Sequence, residues 1–212
     1  MDKRQDKLNL KWKAAAALSF FLYYSGVVFL YEAVRKKVFK RFRRVVLTYH
    51  RVHDGVEDAP MTVSSEHFRA HMACLARKAH VVPLERLLGA RSRDLSNDLV
   101  AVTFDDGYED NFLFAFPVLR AHAMPATIFL IADRVGREKG MLTTDQIRVM
   151  KKENISFGSH TCSHPVLAQI DLDEARREVT ASKTALESLL ECEVRLFAYP
   201  KGKAEQYGAA VK

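Results

Sequence analysis

The stretch Leu99–Asn111, LVAVTFDDGYEDN, decides how this chain reads. Leu99, Val100, Ala101, Val102, Thr103 and Phe104 form a short apolar run rich in β-branched residues, the composition of a buried strand. Two adjacent carboxylates, Asp105 and Asp106, stand where that strand stops, and Gly107 supplies a turn. In open and closed α/β folds, ligands bind at the carboxyl ends of strands. Asp-Asp-Gly is also ordinary turn chemistry, so the pair carries weight only with a partner. That partner lies downstream, in Ser159-His160-Thr161-Cys162-Ser163-His164-Pro165.

Outward from this stretch, short strands and helices alternate. Val45–His50 reads as a strand, and Ser65–Ala79 as an amphipathic helix with Phe68, Met72, Leu75 and Ala79 on one face. Val81-Val82 is a short strand, and Pro83 opens a helix that runs through Leu88. After the central strand a helix is expected near Asn111–Ala123, kinked or divided at Pro117. Ala126–Ile131 is another strand, and a helix starts near Thr144, which is placed to cap it. Ile155–Gly158 leads into the histidines. Asp171–Leu190 is the longest helix, with Asp171 and Glu174 spaced as a capping box, and Val194–Tyr199 is the last strand. Such alternation predicts an α/β fold with a parallel sheet, open or closed into a barrel.

The N-terminal 44 residues have a different make-up. Ala14–Tyr31, AAAALSFFLYYSGVVFLY, is eighteen residues without a charge, at the short end of what spans a bilayer. Arg35, Lys36, Lys37, Lys40, Arg41, Arg43 and Arg44 then alternate with Val34, Val38, Phe39 and Phe42 at helical spacing, a basic amphipathic pattern suited to an anionic leaflet. The division is residues 1–44, a membrane-associating segment with a hydrophobic helix, and residues 45–212, a folded domain. Basic residues flank the apolar run on both sides, so the positive-inside rule leaves open which side of the membrane the domain faces.

Charge follows the same division. The whole chain carries +7, but residues 1–44 hold twelve Lys and Arg against three acidic residues, a balance of +9. The remainder has 21 basic and 23 acidic residues, or −2. With no basic stripe and interleaved aromatics on the domain, nucleic acid is excluded as the expected partner. Cys74, Cys162 and Cys192 are odd in number and widely spaced, which is no disulfide framework. Cys162 lies between the two histidines and reads as a turn residue.

His160 and His164 are four residues apart, close enough for both imidazoles to face one ion. A carboxylate from another strand end completes a two-His, one-Asp set, which leaves positions free for water and substrate. Adjacent aspartates at a strand end do not readily point the same way. One can hold the cation while its neighbour takes a proton from bound water, and the pair together predicts a metal-dependent hydrolase.

The segments TFDDGYEDN, SHTCSHP and RLFAYPKG resemble, in order and spacing, the first three motifs of the NodB-homology polysaccharide deacetylases, carbohydrate esterase family 4. The resemblance covers roughly Val45 to the end of the chain. It implies a distorted (β/α) barrel and a divalent metal, usually zinc, held by Asp106, His160 and His164, with Asp105 as general base. It implies also that the backbone N–H of Lys201, just after Pro200, donates to the oxyanion. The commoner third motif carries Arg two residues before the proline and an aromatic after it; here Ala198 and Lys201 stand in those places. The missing arginine leaves Arg195 as the candidate to orient Asp105.

Most family members take the general acid from a later Leu-x-His motif. Leu47-Thr48-Tyr49-His50-Arg51-Val52 instead resembles the opening strand of the poly-N-acetylglucosamine deacetylase subgroup, where the domain is circularly permuted. That resemblance assigns to His50 the protonation of the leaving amine. It implies a domain that continues past residue 212, so the expectation is a C-terminally incomplete barrel with an exposed sheet edge and low stability. The implied substrate is an N-acetylated glycan near a membrane. Two other readings remain: a deacylase or deformylase of a lipid-linked sugar, and a non-catalytic glycan-binding relic of the fold. Tyr108 and Tyr199 are the aromatic candidates for a carbohydrate cleft.

Overall fold

The structure is a computed structural model, and it describes residues 3–39, 42–55, 61–91 and 96–202, with side chains from residue 13. Two compact units emerge: residues 1–43 with 92–96, and residues 44–91 with 97–212.

In the first unit, α1 (Lys3–Tyr24) and α2 (Val27–Lys37) are separated at Ser25-Gly26 and bent by 64°. Gly26 sits at φ 76°, a conformation glycine enters without a Cβ penalty. The charge-free run is therefore two helices, not one. No single described helix is long and apolar enough to cross a membrane, whereas the bent pair Lys13–Tyr24 and Val27–Lys37 passes the same length and composition test together. Within this unit Glu32 receives Arg35 and, at 3.0 Å, Arg43. Lys40 and Arg41 lie outside the described residues.

The second unit is an α/β domain around a parallel sheet. Its strands are β1 (Arg44–Tyr49), β4 (His80–Val81), β5 (Leu99–Phe104), β6 (Ala126–Leu130) and β7 (Ile155–Ser159). They run in the order β1-β5-β6-β7, with β4 pairing the first two residues of β5. A separate parallel pair joins β2 (Arg51–Val52) to β3 (Thr62–Val63). All six residues of β5 and all five of β6 are buried, as expected of strands covered on both faces. Register places Tyr49 opposite Phe104, so β1 and β5 end level, and Phe104 opposite Ile128, so β6 and β7 run on two residues further to the pair Leu130 and Ser159.

Helices cover the sheet for reasons visible in their sequences. In α3 (Ser65–Lys78) Phe68 and Met72, one turn apart, are fully buried, and the Ser64 hydroxyl caps the helix at the His67 N–H. Phe68 packs edge-on to Tyr49 at 5.2 Å and tilts against Phe104 at 5.8 Å, joining helix to sheet. Short α4 (Leu84–Gly89) follows Pro83, and Leu84 and Leu87 face inward.

The expected helix at 111–123 is divided as anticipated, but in a specific way. Asn111–Ala115 form a π-helical turn, which gives way to α5 (Phe116–Ala121) with Pro117 at its start. Pro117 has no N–H, and its ring crowds the carbonyl four residues back. The Phe116 N–H reaches to Asn111 instead, and the wider turn relieves the conflict.

Two caps and one strand differ from expectation. The helix α6 (Thr144–Lys151) is capped by Thr143, not Thr144. Thr143 is the last extended residue, and it forms a full capping box with Gln146. In α7 (Leu172–Leu190) Asp171 accepts from the Glu174 N–H at 2.8 Å, while the Glu174 side chain pairs with Arg177. Val194–Tyr199 is not a strand. It meets β7 through a single bridge, Ser159 to Phe197, flanked by Ser159 N–H to Leu196 O and Ala198 N–H to Ser159 O at 2.9 Å each. Close approach at Gly158 keeps the two segments together, because a Cβ there would sit 2.8 Å from the Leu196 carbonyl oxygen. The expected structure after Gly202 lies outside the described residues.

Candidate functional site

β5 delivers Asp105 and Asp106 to the carboxyl end of the sheet, and the backbone separates their directions. The Asp105 N–H still bonds to Tyr49 O at 2.9 Å, extending the β1 ladder by one step. Asp106 then turns to φ 72°, which Asp tolerates better than most residues. Gly107 follows at φ 79°, its Cα close under Leu130. One carboxylate therefore faces β1 and the other faces β7. Asp105 Oδ2 lies 3.8 Å from His50 Nε2, at the end of β1. Asp106 Oδ1 lies 3.6 Å from His160 Nε2 and 3.4 Å from His164 Nε2.

His160 follows β7 directly, and its N–H bonds to Leu130 O. Its Nδ1 faces the Ala198 carbonyl at 2.8 Å. A carbonyl only accepts, so Nδ1 carries the proton and Nε2 presents its lone pair to Asp106. Thr161 and His164 both adopt φ 69°, and the Thr161 hydroxyl accepts from the His164 N–H at 3.0 Å. This turn brings the two imidazole centroids to 4.8 Å.

The three donor atoms suit a divalent cation. The ligand atoms of Asp106, His160 and His164 all lie within 4.8 Å of one another. Donors about 2.0–2.1 Å from a tetrahedral ion stand roughly 3.3 Å apart, close to the two carboxylate–imidazole separations. Asp106 Oδ1 is buried without a hydrogen-bond partner, an arrangement that costs stability unless a positive charge sits there. Burial lowers both imidazoles below their ordinary value, His160 to about 4, so both are neutral and ready to ligate at neutral pH.

Burial acts on the neighbouring Asp105 carboxyl and the Tyr108 phenol too. Burial pushes the Asp105 carboxyl up to about 6; nearby His50 opposes this and the Asp106 charge adds to it. Burial first, and the Asp106 charge behind it, raise the Tyr108 phenol.

These groups line one cavity of about 360 Å³, walled by His50, Asp105, Asp106, His160, His164 and Lys201. Lys201 takes φ 68° there. A larger groove of about 520 Å³ beside Val179, Lys183 and Arg195 holds none of them. Of the two aromatic candidates, Tyr199 lines the cavity, while Tyr108 lies beneath the Arg51 guanidinium at 4.8 Å.

Arg195 does not reach Asp105. It is exposed and pairs with Glu193 at 2.6 Å, because the extended segment 194–198 directs it away from the sheet end. His50 is the basic group beside Asp105 in its place. Cys162 stays outside the ligand set, and burial raises its thiol to about 11. Three features escaped the sequence reading: the Ala198 carbonyl, Glu178 beneath the histidine turn, and the Arg51–Asp110 ion pair at 2.8 Å. A backbone carbonyl leaves no trace in residue types. Glu178 looked like any solvated helix acid, though its spacing from buried Ala175 and Ser182 put it on the inner face.

A family model described as Polysaccharide deacetylase matches residues 92–211. The Bacillus subtilis protein YxkH is 32% identical over 161 residues, covering 74% of this chain and 56% of its own. The peptidoglycan-N-acetylglucosamine deacetylase of Bacillus cereus is 31% identical over 91 residues, covering 42% of this chain and 31% of its own. Thus the chain spans little more than half, or less, of the curated relatives it matches. Among solved structures, the Streptococcus pyogenes deacetylase PplD in complex with acetate superposes with a TM-score of 0.73 at 25% identity, covering 81% of this chain and 80% of that one.

Proposed function

The chain belongs to the polysaccharide deacetylase family, and on that premise we propose that it hydrolyses the N-acetyl amide of a glycan at the His50–Asp105–Asp106–His160–His164 cluster. The observation that carries the reading is the unpaired, buried Asp106 Oδ1 between two neutral imidazoles. A divalent cation held by Asp106, His160 and His164, zinc by the donor set, supplies Lewis-acid polarisation of the acyl carbonyl and acidifies a water.

The chain's own residues do the rest. Asp105, ionised at neutral pH, takes the proton of the attacking water. The backbone N–H of Lys201 donates to the oxyanion as the carbonyl carbon becomes tetrahedral. His50 gives a proton to the departing nitrogen as the C–N bond breaks, so the products are acetate and a free amine. With the arginine partner replaced by Ala198, His50 also holds the charge that opposes the burial of Asp105. Tyr199 on the cavity wall offers a face for the sugar ring. The named activity of the Bacillus cereus relative points to N-acetylglucosamine as the sugar class.

The test is metal content and acetate release from N-acetylglucosamine oligomers. The reading expects about one divalent ion per folded chain. Asp105→Asn should keep the metal and lose about 10²–10⁴-fold in rate. A folded chain that takes up no divalent metal overturns the reading, and an Asp105→Asn variant unchanged in a binding assay with no parent activity favours the glycan-binding alternative.

We infer further that residues 13–39 bind an anionic membrane surface. Phe20, Phe21, Tyr23, Tyr24, Phe29 and Leu30 are all exposed, and Lys36 and Lys37 follow them in the last turn of α2. Exposed aromatic side chains followed by basic ones suit the headgroup region. Vesicle co-sedimentation checks this: binding to anionic vesicles that weakens with salt supports it, and equal failure on anionic and neutral vesicles sinks it.

A further inference from the structure

The turn that carries both histidines is held from beneath by one side chain. Glu178, on α7, is buried at 7% exposure, and its carboxylate points into the 160–164 turn. Its Oε2 accepts from the Cys162 N–H at 2.8 Å and the Ser163 N–H at 3.0 Å, and its Oε1 accepts from the Ser163 hydroxyl at 2.8 Å. The next turn of the same helix face offers Ser182, fully buried, whose Oγ lies 2.7 Å from Ser159 Oγ. The hydroxyl protons run in one direction. Ser182 donates to Val179 O at 2.9 Å, so Ser159 donates to Ser182 and is left to accept from the Thr161 N–H at 3.3 Å. Positions i and i+4 of α7 thus grip the turn on both sides of His160.

The turn needs such a grip. Thr161 and His164 both hold left-handed backbone, which non-glycine residues adopt only where surrounding contacts enforce it. Relaxing the backbone at Thr161 or His164 would swing the His164 imidazole away from Asp106 Oδ1.

We propose that Glu178 is the positioning residue of this centre: its carboxylate, by hydrogen bonds to the Cys162 and Ser163 backbone and the Ser163 hydroxyl, holds the turn that converges His160 and His164 on Asp106. The inference rests on the metal-centre reading above. It names hydrogen-bond reach, not charge, as the operative property.

Two mild substitutions separate those properties. Glu178→Gln loses the charge but keeps the reach: its amide oxygen takes both N–H groups, and its NH₂ donates to Ser163 Oγ once that hydroxyl turns away. Glu178→Asp keeps the charge and is one methylene too short to span the three donors. Zinc alone is titrated into the metal-free 212-residue chain, with circular dichroism and melting temperature recorded for each variant.

The expected result is zinc affinity within about threefold of the parent for Glu178→Gln and reduced tenfold or more for Glu178→Asp, in the range typical of outer-shell losses. A parent-like affinity for Glu178→Asp with a lowered melting temperature overturns the proposal, because Glu178 would then serve the fold alone. So does a Glu178→Gln variant as weak as Glu178→Asp, which would assign the effect to charge. Should the Asp variant not fold, a tenfold loss in folded Glu178→Gln still overturns it, and retention supports it. If the parent chain itself binds no zinc, the metal-centre reading fails first, and that outcome is read before any variant.

Discussion

His160 donates from Nδ1 to the backbone carbonyl of Ala198 across 2.8 Å, and this one bond ties the histidine turn to the segment after α7. It selects the tautomer and aims Nε2 at Asp106. Because the acceptor is backbone, the side chain at 198 can be alanine without disturbing the ligand. His160→Ala removes one of the three proposed ligands outright. Zinc affinity should fall by more than about 100-fold, beyond the range of outer-shell losses, as measured by calorimetric titration.

Asp106 presents the opposite balance. In the metal-free chain its buried Oδ1 has no partner, so the carboxylate is a cost carried for function. Asp106→Asn should abolish zinc binding yet stabilise the metal-free chain by about 1 kcal/mol, or roughly 2–4 °C in melting temperature. A melting temperature lower than the parent's would show that Asp106 is already satisfied without a cation.

Asp105 makes stability depend on pH with a definite sign. Burial holds its folded-state carboxyl at about 6, above its ordinary value of 3.8. Between those two values the folded metal-free chain binds more protons than the unfolded one, so the stability from this group falls as pH rises from about 4 to about 6. Asp105→Asn should flatten that decline, as read from urea midpoints across the range. Activity has the opposite slope. On the proposed mechanism it needs the carboxylate, and a cation held at Asp106 would favour ionisation, so the acid limb of the rate profile should lie at or below pH 6.

Gly158 couples the fold to the site. A Cβ there would stand 2.7 Å from the Phe129 ring and 2.8 Å from Leu196 O. The ring can shift, but the carbonyl belongs to the segment that carries Ala198. Gly158→Ala should cost about 1–3 kcal/mol through overpacking. It should also weaken zinc binding, because Leu196 cannot retreat without drawing Ala198 from His160. Loss of stability with unchanged zinc affinity would uncouple the two.

Phe68 anchors α3 on the sheet with no exposed surface. Phe68→Ala should cost about 3–5 kcal/mol, lowering the urea midpoint with little change in slope.

Strand β5 and both ligand clusters were legible from residue types, because a β-branched apolar run, two acids at its end and a four-residue histidine spacing are local signals. The helix α3 was legible for the same reason, its buried Phe68 and Met72 being one turn apart. Segment 194–199 was misread as a strand. Its apolar residues have strand composition, but pairing needs a neighbour along its whole length, and only Phe197 finds a bridge. The eighteen-residue apolar run was read as continuous because composition does not register the left-handed turn at Gly26.

Which atoms meet was beyond local pattern. The opposed directions of Asp105 and Asp106 depend on one positive φ, chosen by packing around Gly107 and Leu130. Arg195 seemed near the site by sequence distance, yet side chains in an extended segment alternate faces, and it went to Glu193. Glu178 reaches Ser163 in the histidine turn from 15 residues away, and the Ala198 carbonyl reaches His160 from 38. Residue types established the chemistry available to this chain, since ligand and acid–base character belong to side chains. Its convergence on one cavity was decided by the tertiary structure, since distances between separate elements arise only when their apolar faces pack.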